Sequence, residues 1–422
     1  MSGGTNPASM RLWIFNHHAV APDQGSGTRH YDLAVQLAQS GHKVTIFAAG
    51  FNHFTGREER LTGWQVFRPE LWNGVRFIWL RTVPYRRNDV RRLLSMLSYC
   101  LVAMVVQLRF GRPTHIIGST VHPLAALAGY LVARARGARY FFEIRDLWPQ
   151  TLIDLGTMHE GSPSARALRW LERLLVERGA GVIAVLPGVA GYLAERRVRP
   201  RALLYLPNGV ALDRESGGAL AGPTRRLIEQ IGQWQSEGRF VLVYAGSHGI
   251  HNRLAVVLDA AQRLVSSEGR IMIVLVGDGP EKPGLEARLS AAPIENVVLH
   301  PPIPKSDVST LLAATDACLL HMTRTPVYRY GISFNKLFDY MASGRPVLFA
   351  CEASNNPVAE AEAGLSVAPD DPDAIAGAAI QLSQMADSDL ARLGANGRRY
   401  VEAHHDVREL ARQLADFLTE RS

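Results

Sequence analysis

The sequence predicts an α/β protein of two doubly wound parallel-sheet domains facing a cleft. Three observations predict it. Strands alternate with helical patterns, the strands read as unbroken apolar runs, and the alternation stops and restarts near the middle of the 422 residues. Parallel strands need crossover helices, and a parallel strand covered on both faces is apolar throughout. The length also exceeds one core, since single cores stop growing at about 250–300 residues.

In the first half, RLWIFN (Arg11–Asn16) reads as a buried strand, then a Gly/Pro loop, then an amphipathic helix over Arg29–Ser40. Gly41 and His42 end that helix and Lys43–Ala49 is the next strand. HIIGST, a helix from Pro123, ARYFFEI, Gly181–Pro187 and the short Ala202–Asn208 continue the alternation. Residues Ala211–Pro223 are small and Gly-rich, as befits an interdomain connection. The pattern resumes with Phe240–Gly246, a helix to about Ser267, Ile271–Gly277, NVVLHPP, ACLLHM and RPVLFA. Ser388–Thr419 is helical throughout. The expected division is a domain over 1–210, a linker region over 211–238, a domain over 239–387 and C-terminal helices over 388–422. Each domain is Rossmann-like, and fold at that level leaves several enzyme classes open.

With 47% hydrophobic and 20% charged residues the composition is that of a soluble globular protein. The three cysteines, Cys100, Cys318 and Cys351, are far apart in apolar runs and form no CxxC, which argues against a zinc ribbon or disulfide framework and for a reducing cytosol. The polar first ten residues lack the pattern of a signal peptide. A net charge of +7 fits a solvated surface or a phosphate-bearing partner. The most apolar window, Leu93–Leu108, has 16 residues, short of the roughly 20 that cross a bilayer. Arg81, Arg86, Arg87, Arg91 and Arg92 flank it, so it reads either as a face resting on an anionic membrane or as a buried core helix with a basic entrance.

Chemistry is expected at the carboxyl ends of the strands, where open α/β sheets bind ligands. Gly25 and Gly27 precede a helix in PDQGSGTRHYDLA. A GxG there lets backbone approach a ligand, though a plain turn reads as well. The dinucleotide fingerprint fails, because its third glycine is His30 and AAGFN lacks the acidic residue for a ribose, which disfavours an NAD enzyme. Glu143, Arg145 and Asp146 cluster after an apolar strand, lining a site or bracing the loop as an internal Arg–carboxylate pair. AGSHG (Ala245–Gly249) and VGDGPEKPGLEARL repeat the glycine turn, with Gly246, Gly249, Gly277 and Gly279. In YRYGISFNKLFDYMASGRPVLFA a helix starts near Ser333–Asn335, with free N–H groups and Lys336 to meet a phosphate. Asn335, Lys336 and Asp339 share a helical face. A carboxylate there can accept two hydrogen bonds from a ribose diol, unless Lys336 and Asp339 form a mere surface pair.

The motifs DQGSGTRHYDLAVQLAQSGHKVTIF, EIRDLWPQTLIDLG, YLPNGV, YAGSHG, VGDGPEK and SFNKLFDYMASGRPV together resemble a retaining glycosyltransferase of family 4, with the two-domain GT-B fold. EIRDLWP with SFNKLFDYM is similar to the branch that adds N-acetylated amino sugars in bacterial O-antigen and capsule assembly. The resemblance implies a nucleotide-sugar donor in the C-terminal domain, an acceptor held mainly by the N-terminal one, transfer without metal or cofactor, and a final helix crossing back to the first domain. It places the second carboxylate of the family's E-x7-E signature at Asp339 and the first at Gly331, which has no side chain. The family's Arg-x5-Lys pair is absent from SHGIHNRLAV, where Arg253 is the only cation, so Lys336 is expected to take the diphosphate, joined by Arg253 or Arg329. The family's N-domain histidine is replaced by Arg145, with Asp146 beside it.

The expected reaction is therefore retaining transfer of an N-acetylated hexosamine, UDP-linked, to a glycan or polyprenyl-diphosphate-linked acceptor. Glu143, Arg145, Asp146 and Lys336 are the expected catalytic groups. The donor is expected on Gly246, Ser247, Gly249, Arg253, Gly277, Asp278, Gly279, Ser333, Asn335, Lys336 and Asp339. Gly25, Gly27, Arg29 and His122 are expected on the acceptor side. The expected location is cytoplasmic, peripheral on the inner face of the membrane. Rival readings are a GT-B nucleotide-sugar 2-epimerase and a non-enzymatic sugar- or anion-binding protein; nucleic acid is disfavoured because no basic–aromatic reading motif is present.

Overall fold

The structure is a computed structural model and describes residues 9–24, 27–53, 55–85, 90–212, 220–267 and 270–420. Contacts divide the chain into two units, Met1–Pro207 with Val407–Ser422, and Asn208–Asp406.

Among the described residues the first unit carries ten strands: β1 Arg11–Phe15, β2 Lys43–Ala49, β3 Phe51–Asn52, β4 Arg57–Glu58, β5 Phe67–Trp72, β6 Val75–Leu80, β7 His115–Ser119, β8 Arg139–Ile144, β9 Gly181–Ala184 and β10 Leu203–Tyr205. Eight form one sheet in the order β10-β9-β8-β7-β1-β2-β6-β5. All pairs are parallel except β5 with β6, and β3 pairs with β4 apart from this sheet. The apolar runs are dry: Leu12, Ile14 and Phe15 of β1 and Phe77–Leu80 of β6 are at most 1% exposed. The chain builds outward from β1 to β2 and β6, then returns to β7 on the other side. This reversal puts the switch point at the carboxyl ends of β1 and β7.

The second unit has a fully parallel six-stranded sheet of β11 Phe240–Ala245, β12 Ile271–Val276, β13 Val297–His300, β14 Ala317–His321, β15 Val347–Ala350 and β16 Gly364–Val367. Its order is β13-β12-β11-β14-β15-β16, so the switch point lies between β11 and β14.

Four features depart from the sequence reading. The β5–β6 hairpin turns at Asn73 and Gly74, both at positive φ (46° and 82°), the geometry of a type I′ turn. Strand β16 was not expected either. The helix Gly222–Ser236 occupies the supposed linker and packs Leu227 and Ile231 into the second core, so that unit begins near Asn208. Finally, Ser388–Thr419 breaks at His405–Asp406 into Asp387–His404, which belongs to the second unit, and Val407–Thr419, which belongs to the first. Phe417 of this last helix packs its ring 5.7 Å from that of Phe141, over Gly181, where a Cβ would lie 2.7 Å from the Phe417 ring.

The apolar window forms the helix Val90–Val106 and a 3-10 turn Gln107–Arg109. Only Ser95, Tyr99, Ala103 and Val106 of the helix are buried, so it is not a buried core helix. By length and composition alone Val90–Arg109 is apolar enough to cross a membrane, so the length argument against a span fails. Its built-in side argues against a span instead: Tyr99 is fully buried and donates its hydroxyl to the Phe47 carbonyl at 2.7 Å. Arg86 and Arg87 lie outside the described residues.

Candidate active site

In the second unit the chemistry gathers where β11 and β14 end. After β11 the chain turns through Gly246–Gly249 into a 3-10 turn, Ile250–Asn252, before the helix Ala255–Ser267. The Ser247 carbonyl accepts from the Tyr244 hydroxyl at 2.6 Å and from Asn252 Nδ2 at 2.9 Å, which fixes this turn. Lys336, in the helix Asn335–Ala342, enters the same place. Its Nζ donates to the Tyr244 hydroxyl at 3.0 Å and to Asn252 Oδ1, and lies 4.8 Å from the Tyr244 ring centroid. Gly246 clears its path, since a Cβ there would lie 3.3 Å from Lys336 Cδ.

Lys336 is half-buried and pairs with no carboxylate among the described residues. Burial pushes its amine down to about 7, slightly opposed by Cys351. A cation taken partly from water and given only neutral partners gains from an arriving anion. The helix is held in place by Tyr340, whose buried hydroxyl donates to the Ala245 carbonyl at 2.9 Å and accepts from the Ala245 N–H at 2.8 Å. The site cation is thereby tied to the end of β11.

Backbone lines the other side. Gly277 and Gly279 have φ of 149° and 156°. A Cβ at Gly277 would lie 1.9 Å from the Gly246 carbonyl oxygen, and one at Gly279 would lie 2.6 Å from that of His248. The two loops are laced by His248 N–H to the Asp278 carbonyl (2.8 Å) and Glu281 N–H to the His248 carbonyl (3.0 Å). Asp278 caps the Gly279 N–H at 2.8 Å. Gly277→Ala should therefore cost at least about 2 kcal/mol, from a backbone clash in a strained region. The check is urea unfolding, and an unchanged midpoint would mean that the loops are not nested.

Asn252 is itself positioned. His321, at the end of β14, is fully buried, accepts the Asp370 N–H on Nε2 at 3.0 Å, and so carries its proton on Nδ1, donating to the Asn252 carbonyl at 2.7 Å. Asp370 pairs with Arg253 at 3.2 Å and accepts from Thr323 Oγ1 at 3.0 Å. Arg253 therefore braces this network through Asp370. Arg329 lies over the Tyr330 ring, 4.5 Å from its centroid.

The rival reading of a Lys336–Asp339 surface pair does not hold, because Asp339 Oδ2 accepts from Lys305 at 2.9 Å. Ser333 is buried, and its hydroxyl accepts the Asn208 N–H at 2.9 Å. Ser247 is exposed and Asn335 half-buried at the helix start. At Gly249 a Cβ would press on Asn252 Nδ2 and Ser247 Oγ, both at 3.3 Å. Tyr244, Asn252, His248, Lys305, His321 and Asp370 were missed. His248 is fully buried, and burial, with Lys282 next, lowers it to about 4.

In the first unit Glu143 is not a free catalytic group. It accepts from Arg29 Nε at 3.1 Å and from His30 Nε2 at 2.6 Å, all three being buried. His30 Nδ1 takes the Asn16 amide at 2.8 Å, which leaves the ring proton on Nε2 for Glu143. Arg29 also donates to the carbonyls of Leu206 (2.8 Å) and Pro207. Burial opposes the Glu143 charge, but His30 and Arg29 outweigh it and hold the carboxylate well below its usual range. The internal Arg–carboxylate brace exists, with Arg29 in place of Arg145, so Arg29 is enclosed and does not face an acceptor.

His122 is also enclosed: it caps the helix Pro123–Arg136 by accepting the Ala125 N–H at 3.2 Å, and its Nε2 meets His17 Nδ1 at 2.6 Å. Burial, then Arg92, lowers it to about 3, so it is a neutral structural ring. Arg145 is half-buried and Asp146 exposed, and neither side chain has a hydrogen-bond partner among the described residues. Of the expected triplet, these two remain open to solvent. Gly27 has φ 84°, and Gly25 lies outside the described residues.

Two doubly wound sheets in one chain are the architecture of the GT-B fold. The chain belongs to the glycosyltransferases: residues 24–209 match the glycosyl transferase 4-like domain, and residues 239–385 match the glycosyl transferases group 1 family. It is 23% identical over 352 residues to Escherichia coli WcaI, whose name assigns it to colanic acid biosynthesis as a glycosyl transferase, covering 82% of this chain and 84% of that one. Among solved structures, sucrose-phosphate synthase from Thermosynechococcus elongatus aligns at 18% identity and a TM-score of 0.71, over 97% and 98% of the two chains. HepE from Anabaena, solved in complex with UDP-glucose, aligns at 13% identity and a TM-score of 0.67, over 97% and 100%.

Proposed function

We propose that the protein transfers an N-acetylated hexosamine from a UDP-linked donor, with retention, to a glycan or polyprenyl-diphosphate-linked acceptor in bacterial surface polysaccharide synthesis. The observation that carries this reading is Lys336, a half-buried cation with neutral partners, set against the Gly246 turn on which the Gly277–Gly279 loop is nested. The naming of WcaI for colanic acid and the UDP-glucose in HepE agree with it.

In this reading the donor diphosphate lies along the two glycine loops and the start of the Asn335–Ala342 helix, with Lys336 on its oxygens. Retention with one carboxylate of the E-x7-E pair missing fits a front-face course. The leaving diphosphate departs and takes the acceptor proton on the same face, so the protein supplies position and positive charge. Asp339 holds the ribose diol through Oδ1 while Oδ2 keeps Lys305, since an ionised carboxylate accepts at both oxygens. Arg145 and Asp146 serve the acceptor.

The test is a thermal-shift comparison of UDP, GDP and their sugars, followed by transfer assays with the anomeric configuration read by NMR. A nucleotide at 100 times its dissociation constant should stabilise by roughly 2.7 kcal/mol. Asp339→Ala should weaken UDP and UDP-sugar alike by about 1.5–3 kcal/mol, the value of hydrogen bonds to a charged group. Stabilisation by GDP-sugars only would replace the UDP reading, and an inverted product would end the front-face one.

A further inference from the structure

The helix Val90–Val106 turns an apolar stripe to solvent. At 100° per residue, Leu93, Leu94, Leu97, Leu101 and Val105 fall within an arc of about 120°, and Leu108 follows in the 3-10 turn. The buried residues Ser95, Tyr99, Ala103 and Val106 fall on the opposite side. The stripe is open, not grazed: Leu101, Val105 and Leu108 are 65%, 67% and 66% exposed. Isolated exposed leucines need no explanation, but a continuous stripe along a whole helix does.

The charge around it has one sign. From Val90 to Arg112 the sequence holds Arg91, Arg92, Arg109 and Arg112 and no acidic residue. Arg91 at one end and Arg109 and Arg112 at the other are exposed, with the stripe between them, while Arg92 turns inward towards His17 and His122. A second exposed apolar group lies beside the C-terminal end. Trp64 is 99% exposed and Val66 53%. Their segment is fixed there because the Phe67 ring packs 6.0 Å from Phe110 and under the Arg109 guanidinium at 5.3 Å. The Val66 carbonyl is held by the Arg81 N–H at 2.9 Å.

From this arrangement we infer that the Val90–Arg109 helix lies in the plane of an anionic lipid surface, its leucine stripe sunk to the level of the acyl chains and Trp64 a second anchor. A helix with an apolar stripe, basic ends and its other side built into a domain can lie on a bilayer but not span it. Arginines at both ends meet the lipid phosphates while the stripe enters between them, and tryptophan favours the headgroup level. The inference goes beyond glycosyl transfer. It is tested without donor or acceptor, so its failure leaves the transfer reading untouched.

The experiment is flotation of the full chain with vesicles of phosphatidylcholine alone or mixed 3:1 with phosphatidylglycerol, at about 0.15 M salt, where the Debye length is about 8 Å. Binding is expected to the anionic vesicles, and to weaken as salt is raised. Leu101→Glu with Val105→Glu should lower the bound-to-free ratio at least about tenfold without changing the melting temperature, because both side chains are exposed. Trp64→Phe should remove a blue shift that wild type shows on adding vesicles. No binding of wild type, or equal binding by the double variant, would overturn the inference. So would a lipid-free dimer that Leu101→Glu dissolves, since the stripe would then belong to a second copy of the chain.

Discussion

Arg29→Met should destabilise the first unit by about 3–5 kcal/mol, the cost of leaving a buried charge without its partner. Glu143 would keep only the neutral His30 ring, and the carbonyls of Leu206 and Pro207 would lose their donor. Tryptophan fluorescence in urea measures this, because Trp13, Trp64, Trp72, Trp79, Trp148 and Trp170 lie in the first unit and only Trp234 in the second. The sign with pH is fixed. Glu143 is held below its usual range, so the pair stabilises above the unfolded carboxylate value and that contribution fades as pH falls through the folded one. The gap between wild type and Arg29→Met should be full at neutral pH and shrink in acid. Arg29→Met combined with Glu143→Leu should recover much of the loss, as apolar replacements of buried pairs do. A loss below about 1 kcal/mol would show that Glu143 reaches water.

The parallel strands were legible because burial on both faces writes them as apolar runs: all six residues of β12 are buried. The β5–β6 hairpin was equally written, in Asn73-Gly74, but Pro69 and Glu70 interrupt the run before it and hid the signal. Side-chain pairing was not legible. Glu143 and Arg29 are 114 positions apart and Asp339 and Lys305 are 34 apart, so nothing local announces either pair. Local reasoning offered only near partners as rivals to a functional role, Arg145 for Glu143 and Lys336 for Asp339 one turn away. The sheet register overrides it: β7 and β8 set Ser119 beside Glu143, turning that carboxylate into the interior. Lys336 was found because its setting is local, a cation at a helix start after a glycine. Tyr244 and Asn252, which hold it, come from the end of β11 and the 3-10 turn after it, and their only trace was the YAGSHGIHN segment itself.

Lys336→Met should lower kcat by about 10²–10³, a value typical of removing one group aimed at developing charge. Donor affinity should fall by less, because phosphate charge grows as the glycosidic bond breaks and the ground state holds only part of it. The fold should survive, since methionine keeps the apolar length of the half-buried Lys336 stem. The pH dependence separates this role from a packing one. Burial holds the free amine at about 7, and a bound diphosphate raises it. Below that value the amine is already charged and UDP-sugar affinity should be level. Above it, binding must take up a proton, so affinity should fall about tenfold per pH unit until the bound amine itself titrates. Calorimetry in buffers of different ionisation enthalpy would register about half a proton taken up near pH 7. Lys336→Met should abolish both the proton uptake and the slope, leaving affinity level between about pH 6 and 9. If wild type shows no slope, or if the variant keeps it, the diphosphate does not lie on Lys336 and the donor must be held elsewhere.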